Sequence, residues 1–343
     1  MEKRKIAKLN RGWLFIDRDV ADAFENEHDD SNWYHVDIPH DWAISRPYKK
    51  DTPCGSSQGY FDRWGTGWYR KYVEFDEIPE TCILVFDGIY ENSTVWVNGT
   101  KAGGWGYGYS GFSLNITPHI KAGKNIIAVK VDNTRQPADR WYSGAGIYRG
   151  VRLIETGLSY IKPWGVYITT PSISETEAGV KVQVEVENAN MESMVEVTVD
   201  INGKRVAQAL ANVHDNVAVL EIGVPDPVLW ETENPVLYNA TIKLYNGNTV
   251  CDEEQVRFGI REVTINAGEG LLINKKPVKL KGVNLHHDGG CLGAAVPVWA
   301  WKRRLLQLKS MGCNAIRTSH NIPAPELLDL CDEMGFLVID EAF

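Results

Sequence analysis

Apolar and polar residues alternate in short segments through most of the chain. Between residues 157 and 262, charged or polar residues alternate with Val180, Val182, Val184 and Val186, and the same pattern runs from Val195 to Ile201. A period of two is expected of a strand that buries one face. We therefore predict an immunoglobulin-like β-sandwich over residues 157–262, although it lacks the Cys…Trp…Cys pattern of antibody domains.

The first 156 residues also predict strands, here shorter and separated by Gly, Pro and Asn turns. We expect strands at Thr81–Phe86, Ser93–Val97 and Asn125–Val131. Asn98-Gly99 supplies the two positive-φ positions that a tight hairpin requires. Helical periodicity is absent, so residues 1–156 are predicted to form an antiparallel jelly-roll sandwich.

The pattern changes after residue 263. The predicted order is strand, helix, strand, helix, strand, at Val278–Asn284, from Pro297, at Cys313–Thr318, from Pro325 and at Phe336–Ile339. The first helix is expected to bury Val298, Trp301, Leu305 and Leu308, which recur at helical spacing. Residues 263–343 therefore predict the first three β/α units of a TIM barrel. A complete barrel needs eight units, so we expect this chain to be a truncated part of a longer protein.

Charge and hydropathy exclude several classes of protein. The chain has 36 Lys and Arg against 45 Asp and Glu, a formal net charge of −9, which disfavours a nucleic-acid partner. No apolar run approaches the length of a membrane-spanning helix. The charged start, Met1–Lys5, is not followed by the apolar segment of a signal peptide. The compartment stays open: cytoplasmic, or periplasmic or secreted if a leader was removed.

Cysteine and aromatic residues narrow the function only slightly. The six cysteines form no C-x-x-C pair and are predicted to be isolated buried thiols. The 12 Trp and 14 Tyr suit both the apolar faces of sugar rings and a sandwich core. For the Gly-aromatic run Gly103–Tyr109 we favour packing over sugar stacking, because glycine permits close backbone approach.

Several stretches have the character of motifs: Pro39–Trp42, Gly65–Arg70, Arg140–Arg149 and, in the predicted barrel, Lys281–His287, Asn314–His320, Leu330–Gly335 and Asp340–Phe343. Together they resemble the glycoside hydrolase family 2 enzymes, especially the β-galactosidases. The domain order in that family is a sugar-binding jelly roll, an immunoglobulin-like sandwich and a TIM barrel. This order agrees with the boundaries that the hydrophobic pattern predicts.

Two histidines are candidates for sugar binding. His286 and His320 lie just past the first and second predicted barrel strands, and side chains at this rim of a barrel face its active site. The resemblance implies that both hydrogen-bond sugar hydroxyls, which suits a side chain that can donate and accept. His287 is expected to point elsewhere. No set of three or four ligands suggests a zinc site.

Charged residues complete the set of candidates that the resemblance implies. Arg317 would lie near the nucleophilic carboxylate and keep it ionised, with a surface ion pair as the alternative. Asp139 would reach the sugar from a jelly-roll loop, and Asp41 is a second candidate for the same rim. For both aspartates the alternative is a turn or capping carboxylate. Glu341 matches a position that is not one of the family's two catalytic residues.

The resemblance implies a retaining exo-glycosidase that hydrolyses terminal β-galactosides or galactose-containing oligosaccharides. Its acid/base and nucleophile glutamates come from the fourth and seventh barrel strands and are expected beyond Phe343. This chain would then supply accessory domains and one wall of the active site, and would be inactive alone. No cofactor is required by this chemistry, although family members often use Mg²⁺ or Na⁺ near the acid/base residue.

Other functions remain open from the sequence. A β-glucuronidase of the same family would look similar over these domains, and a non-catalytic carbohydrate-binding protein would use only the sandwiches. A structural array of β-sandwiches is the third alternative. The oligomeric state is also open, with a homo-oligomer among the alternatives.

Overall fold

The computed structural model describes residues 4–342. Residues 1–3 of the charged N-terminal segment and Phe343 of the last barrel motif lie outside the described residues. Three domains follow one another along this range. None of its helices is long and apolar enough to cross a bilayer.

The first domain is a sandwich of two antiparallel sheets. Its strands are β1 (Lys5–Lys8), β2 (Trp13–Ile16), β3 (Tyr34–Val36), β4 (Thr66–Phe75), β5 (Thr81–Phe86), β6 (Ser93–Val97), β7 (Thr100–Trp105), β8 (Phe112–Asn115), β9 (Gly123–Asp132) and β10 (Val151–Thr156). One sheet has the order β1-β10-β5-β8 and the other β3-β2-β4-β9-β6-β7. The predicted jelly-roll sandwich is confirmed.

The core of this domain lies between the two sheets. Alternate residues of β9, Ile127, Val129 and Val131, are fully buried there, as their period of two predicts. The aromatic residues Trp13 and Tyr69 fill the same space from neighbouring strands. Much of the aromatic content therefore serves packing.

The second domain is a smaller sandwich. Its strands are β11 (Tyr160–Ile173), β12 (Glu177–Glu187), β13 (Ser193–Ile201), β14 (Lys204–Asn212), β15 (Val217–Pro225), β16 (Tyr238–Asn246) and β17 (Thr249–Phe258). They form sheets of order β11-β12-β15 and β14-β13-β16-β17. The alternating valines of β12 and β13 meet in one apolar core, which confirms the immunoglobulin-like fold.

The third domain begins with a small antiparallel sheet and continues as parallel β/α units. Its elements are β18 (Val263–Asn266), β19 (Gly270–Ile273), β20 (Lys276–Pro277), β21 (Gly282–His286), α1 (Val298–Ser310), β22 (Ala315–Ser319), α2 (Pro325–Met334) and β23 (Leu337–Ile339). The strands β21, β22 and β23 pair in parallel. This is the predicted opening part of a TIM barrel.

Three details of the third domain differ from the prediction. The sheet β18–β20 is not predicted. The first parallel strand begins at Gly282 rather than Val278, because the residues just before Val278, Lys276–Pro277, pair with β19 in that sheet. Val298 is 48% exposed, whereas Trp301 and Leu305 are buried. Val298 is the first residue of α1, and the buried residues of the helix, Trp301 and Leu305, follow it.

The cysteine prediction is only partly confirmed. All six cysteines are free, and Cys54, Cys82, Cys251 and Cys331 are buried as expected. Cys291, in the short 3₁₀ turn Gly290–Leu292, is exposed, and Cys313, between α1 and β22, is partly exposed.

Candidate active site

The segments singled out by the sequence meet where the first domain contacts the barrel strands. The backbone N–H groups of His40 and Trp42 donate to the carbonyls of Ile147 and Ala145, at 2.8 and 3.1 Å. Across the domain boundary, the N–H of Ala294 donates to Asp41 at 2.8 Å. Three separate stretches of sequence therefore build one interface.

Asp41 lies inside this interface. Its Oδ1 accepts from the N–H groups of Ala43 and Ala145, at 3.1 and 3.0 Å. Its Oδ2 accepts from the Tyr142 hydroxyl at 2.6 Å and from the N–H of Ala294. Burial raises the pKa of Asp41 above its ordinary value, although these hydrogen bonds oppose the shift. Asp41 is 1% exposed, so the expected rim position is wrong: the carboxylate caps a turn and joins two domains.

Two glycines allow the loops to close around Asp41. Gly144 has a φ of +77°, and a Cβ there would lie 2.5 Å from the Cβ of Ala294. Gly293 has a φ of +58°, and a Cβ there would collide with the Asp41 carboxylate. Both positions therefore require glycine for conformation and for space.

Asp139 projects from the loop between β9 and β10 and is half-buried. Its Oδ2 accepts three hydroxyl donors, from Tyr90 at 2.5 Å, Tyr109 at 2.6 Å and Ser143 at 2.6 Å. Burial raises the pKa of both tyrosines, so each retains the proton that it donates. Because these donors share one oxygen, Oδ1 takes none of them and can accept a bond from a ligand hydroxyl.

Trp141 connects this loop with the barrel. Its Nε1 donates to the Tyr109 hydroxyl at 2.9 Å, and its ring lies 4.9 Å from the ring of His320. The rings of His320 and His286 are 5.3 Å apart and nearly perpendicular. The parallel register explains this proximity, since His286 pairs with Ser319, the neighbour of His320. The structure thus brings the loop of Asp139 to the two strand-end histidines.

Arg317 and His320 both contact Glu341. The His320 Nδ1 is 3.0 Å from Glu341 Oε2, and Arg317 forms an ion pair with Oε1 of the same carboxylate. Arg317 also donates to the Asn284 side chain at 3.3 Å. An Nδ1–H bound to Glu341 leaves the Nε2 of a neutral His320 as an acceptor. Arg317 is therefore in an ion pair, and Glu341 orients both of its neighbours.

His287 faces away from this group, in agreement with the expectation. It is buried, with Nε2 3.3 Å from the Ser143 carbonyl and Nδ1 3.2 Å from Nδ2 of Asn321. Burial, reinforced by the charge of Arg149, lowers the pKa of His287 to about 4. The neutral ring therefore joins the two domains, and it borders a cavity of about 270 Å³.

Sequence reasoning missed several residues of this site. Tyr90 and Gln58 carry no motif of their own, and only the structure shows that they contact the loop of Asp139. Trp141 lies in the motif Arg140–Arg149, but only the structure shows that it contacts Tyr109 and His320. Tyr109 ends the Gly-aromatic run and packs as predicted, but its hydroxyl also serves Asp139. Tyr107 reaches the barrel, donating to the Ala342 carbonyl at 3.1 Å.

We identify no candidate metal site among residues 4–342. No group of three or more His, Cys, Asp or Glu side chains in this range is arranged to hold a metal ion.

Family models cover nearly the whole chain. Residues 6–157 match the sugar-binding domain of glycosyl hydrolases family 2, residues 160–261 match the model named for the family itself, and residues 263–343 match its TIM barrel domain.

Curated relatives extend the similarity over the same range. A β-galactosidase, BoGH2A of Bacteroides ovatus, is 40% identical over 99% of this chain and 41% of its own length. A putative β-glucuronidase of Formosa agariphila is 40% identical over 98% of the chain and 33% of its own length. The chain therefore spans less than half the length of these relatives.

A solved structure shows the same architecture. A glycosyl hydrolase family 2 member from Bacteroides cellulosilyticus superposes with a TM-score of 0.92 at 36% identity, over 98% of this chain and 46% of that one.

Proposed function

The chain belongs to glycosyl hydrolase family 2, and we propose that the protein it is part of is a retaining exo-glycosidase that removes terminal β-galactosyl residues. One observation carries the proposal. The loop of the sugar-binding domain that holds Asp139 contacts the strand-end histidines of the barrel through Trp141. A wall built from two domains in this way suits one terminal sugar.

The groups on this wall match the chemistry of a neutral sugar. The free oxygen of Asp139 accepts from a hydroxyl, and the strand-end imidazoles can accept or donate. Trp141 offers an aromatic face to the apolar C–H side of the ring. These contacts bind and orient the sugar, and none of them breaks the glycosidic bond.

Bond cleavage needs two further carboxylates. Retaining hydrolysis uses a general acid/base and a nucleophile about 5–5.5 Å apart. Glu341 already binds Arg317 and His320 and is therefore assigned to positioning. We propose that glutamates from the fourth and seventh barrel strands, beyond residue 343, supply the chemistry. The 343-residue chain alone would then bind sugar without hydrolysing a glycoside.

Two assays test the proposal. A longer protein that contains this chain should hydrolyse a chromogenic β-galactoside, and the 343-residue chain should not. Titration of the chain with galactose, followed by NMR, should shift the signals of Trp141 and the imidazoles. Turnover by the chain itself would contradict the assignment of the catalytic residues. Absence of galactoside hydrolysis by the longer protein would contradict the proposed substrate.

A β-glucuronidase is the second candidate, because a relative at 40% identity carries that name. A glucuronide adds a carboxylate, which favours a free cation in the site. Among the residues of this wall, Arg317 carries a guanidinium, but that cation is already paired with Glu341. We therefore rank the galactoside first. The ratio of hydrolysis rates for matched chromogenic galactoside and glucuronide discriminates between the two.

A further inference from the structure

We propose that Gln58 is a positioning residue that fixes the loop carrying Asp139 and Trp141. Gln58 belongs to a 3₁₀ turn, Ser56–Gln58, far from that loop in sequence. Its effect on sugar binding rests on the proposed function, whereas its effect on the loop does not.

The hydrogen bonds described for the Gln58 side chain all join it to this loop. Its Nε2 donates to the carbonyl of Asp139 at 3.0 Å and to the carbonyl of Trp141. Its Oε1 accepts from the N–H of Ser143 at 3.0 Å. A primary amide has two donor hydrogens and one acceptor oxygen, so both ends of the group are engaged.

Burial makes these bonds consequential. The Gln58 side chain is 0% exposed, so a loop that moved away would leave buried polar groups unpaired on both sides. The three bonded backbone groups belong to residues 139, 141 and 143, which spans the part of the loop that faces the histidines. Within the loop, the Ser143 hydroxyl also binds Asp139. Gln58 therefore sets the backbone from which Asp139 and Trp141 project.

The turn that carries Gln58 is itself held in place. Gly55 and Gly59 flank it with φ values of +75° and +66°, and the N–H of Gly59 closes it onto the Ser56 carbonyl at 2.9 Å. Nearby, Arg63 donates to the Gln136 side chain at 3.0 Å and lies over the Tyr90 ring at 5.0 Å. Segment 55–63 therefore holds the loop that carries Asp139 through two side chains, those of Gln58 and Arg63.

Amide hydrogen exchange tests the inference directly. In Gln58→Ala, exchange across residues 139–143 should accelerate about tenfold or more, because the Ser143 N–H loses its acceptor. Asn125→Ala is the matched control: Asn125 is also a fully buried amide that binds backbone carbonyls, those of Lys121 and Gly123. That variant should accelerate exchange around residues 121–125 and leave residues 139–143 unchanged.

Two further variants keep the test decisive if Gln58→Ala folds poorly. Gln58→Glu retains the acceptor for Ser143 but turns a carboxylate oxygen toward two carbonyls, so it should loosen the loop as well. Ser56→Ala changes an exposed neighbour in the same turn and should leave exchange unaltered. Unchanged exchange at residues 139–143 in both Gln58 variants would overturn the inference.

Galactose affinity separates this inference from the proposed function. If the wild-type chain binds galactose, Gln58→Ala should weaken the affinity about tenfold, since a displaced loop misplaces Asp139 and Trp141. Binding that is unaltered despite a loosened loop would contradict a positioning role. A wild-type chain that binds no galactose would contradict the proposed function, and the exchange data would still decide whether Gln58 fixes the loop.

Discussion

The Nδ1 atom of His320 lies 3.0 Å from Oε2 of Glu341. Because Arg317 forms an ion pair with the other oxygen, one carboxylate holds both a cation and an imidazole. This contact fixes the orientation of the His320 ring and leaves its Nε2 to other partners.

Replacing Glu341 should weaken sugar binding more than folding. We expect Glu341→Gln to raise the Kd for galactose about tenfold, because His320 loses its charged acceptor and Arg317 its partner. The midpoint of thermal unfolding should change little, since the ion pair is partly exposed. Glu333→Gln, which breaks the Arg257 ion pair away from the site, is the control. Equal affinities of the two variants in calorimetric titration would refute the role of Glu341.

Trp141 should contribute an aromatic contact to the sugar. Trp141→Ala is expected to lower galactose affinity about tenfold or more, because an aromatic side chain that covers the face of a ligand ring contributes about 1–3 kcal/mol when that ring is a nucleic-acid base. Trp299, which is 63% exposed on α1, gives the matched control Trp299→Ala. If both variants bind galactose as the wild type does, Trp141 is only a packing residue.

Asp41 should matter for stability. In Asp41→Asn, an NH₂ group replaces one of the two oxygens that accept from four donors, so a buried donor is left unpaired. We expect a loss of about 2–4 kcal/mol in the free energy of unfolding. The control Asp22→Asn removes an exposed carboxylate and should leave stability nearly unchanged. Chemical denaturation of both variants provides the measurement, and similar midpoints would contradict the buried role.

Stability should fall as the solution is acidified. Burial lowers the pKa of His287 and of His40 to about 4, below the ordinary value of 6.5. The unfolded chain therefore binds more protons than the folded one between these pH values. The contribution of each neutral ring is fully present above pH 6.5 and is lost as the pH falls toward 4.

His287→Gln isolates one of these contributions. The variant should show a shallower loss of stability between pH 6.5 and 4, measured as denaturation midpoints at a series of pH values. His35→Gln, at an exposed position on β3, should keep the wild-type slope. A steeper profile in His287→Gln would show that the ring is charged in the folded protein.

The fold was largely predictable because its signals are local. The alternating valines of β12 and β13 and the turn at Asn98-Gly99 depend on a few neighbouring residues, and their strands appear with nearly the predicted bounds. The sheet β18–β20 was not predictable in the same way, since its strands have two to four residues and mostly exposed side chains. Such strands lack the amphipathic period on which prediction depends.

The candidate site was predictable only where strand ends identify it. His286 and His320 follow from the parallel register, because residues at the ends of adjacent strands meet. Gln58 and Tyr109 reach the loop of Asp139 across 81 and 30 residues of sequence, and no local pattern records such contacts. Asp41 shows the converse, since its place in a motif gave no sign that both oxygens would be occupied by protein donors.

The donors around Asp41 bear on how such proteins can diversify. Three belong to the first domain and the fourth, Ala294, to the barrel. A chimera that grafts an unrelated lectin onto this barrel would break the set, and the barrel would also lose the aspartate and tryptophan beside its histidines. The two domains are therefore best inherited together, and recombination that keeps them paired should yield far more folded hybrids than recombination between them.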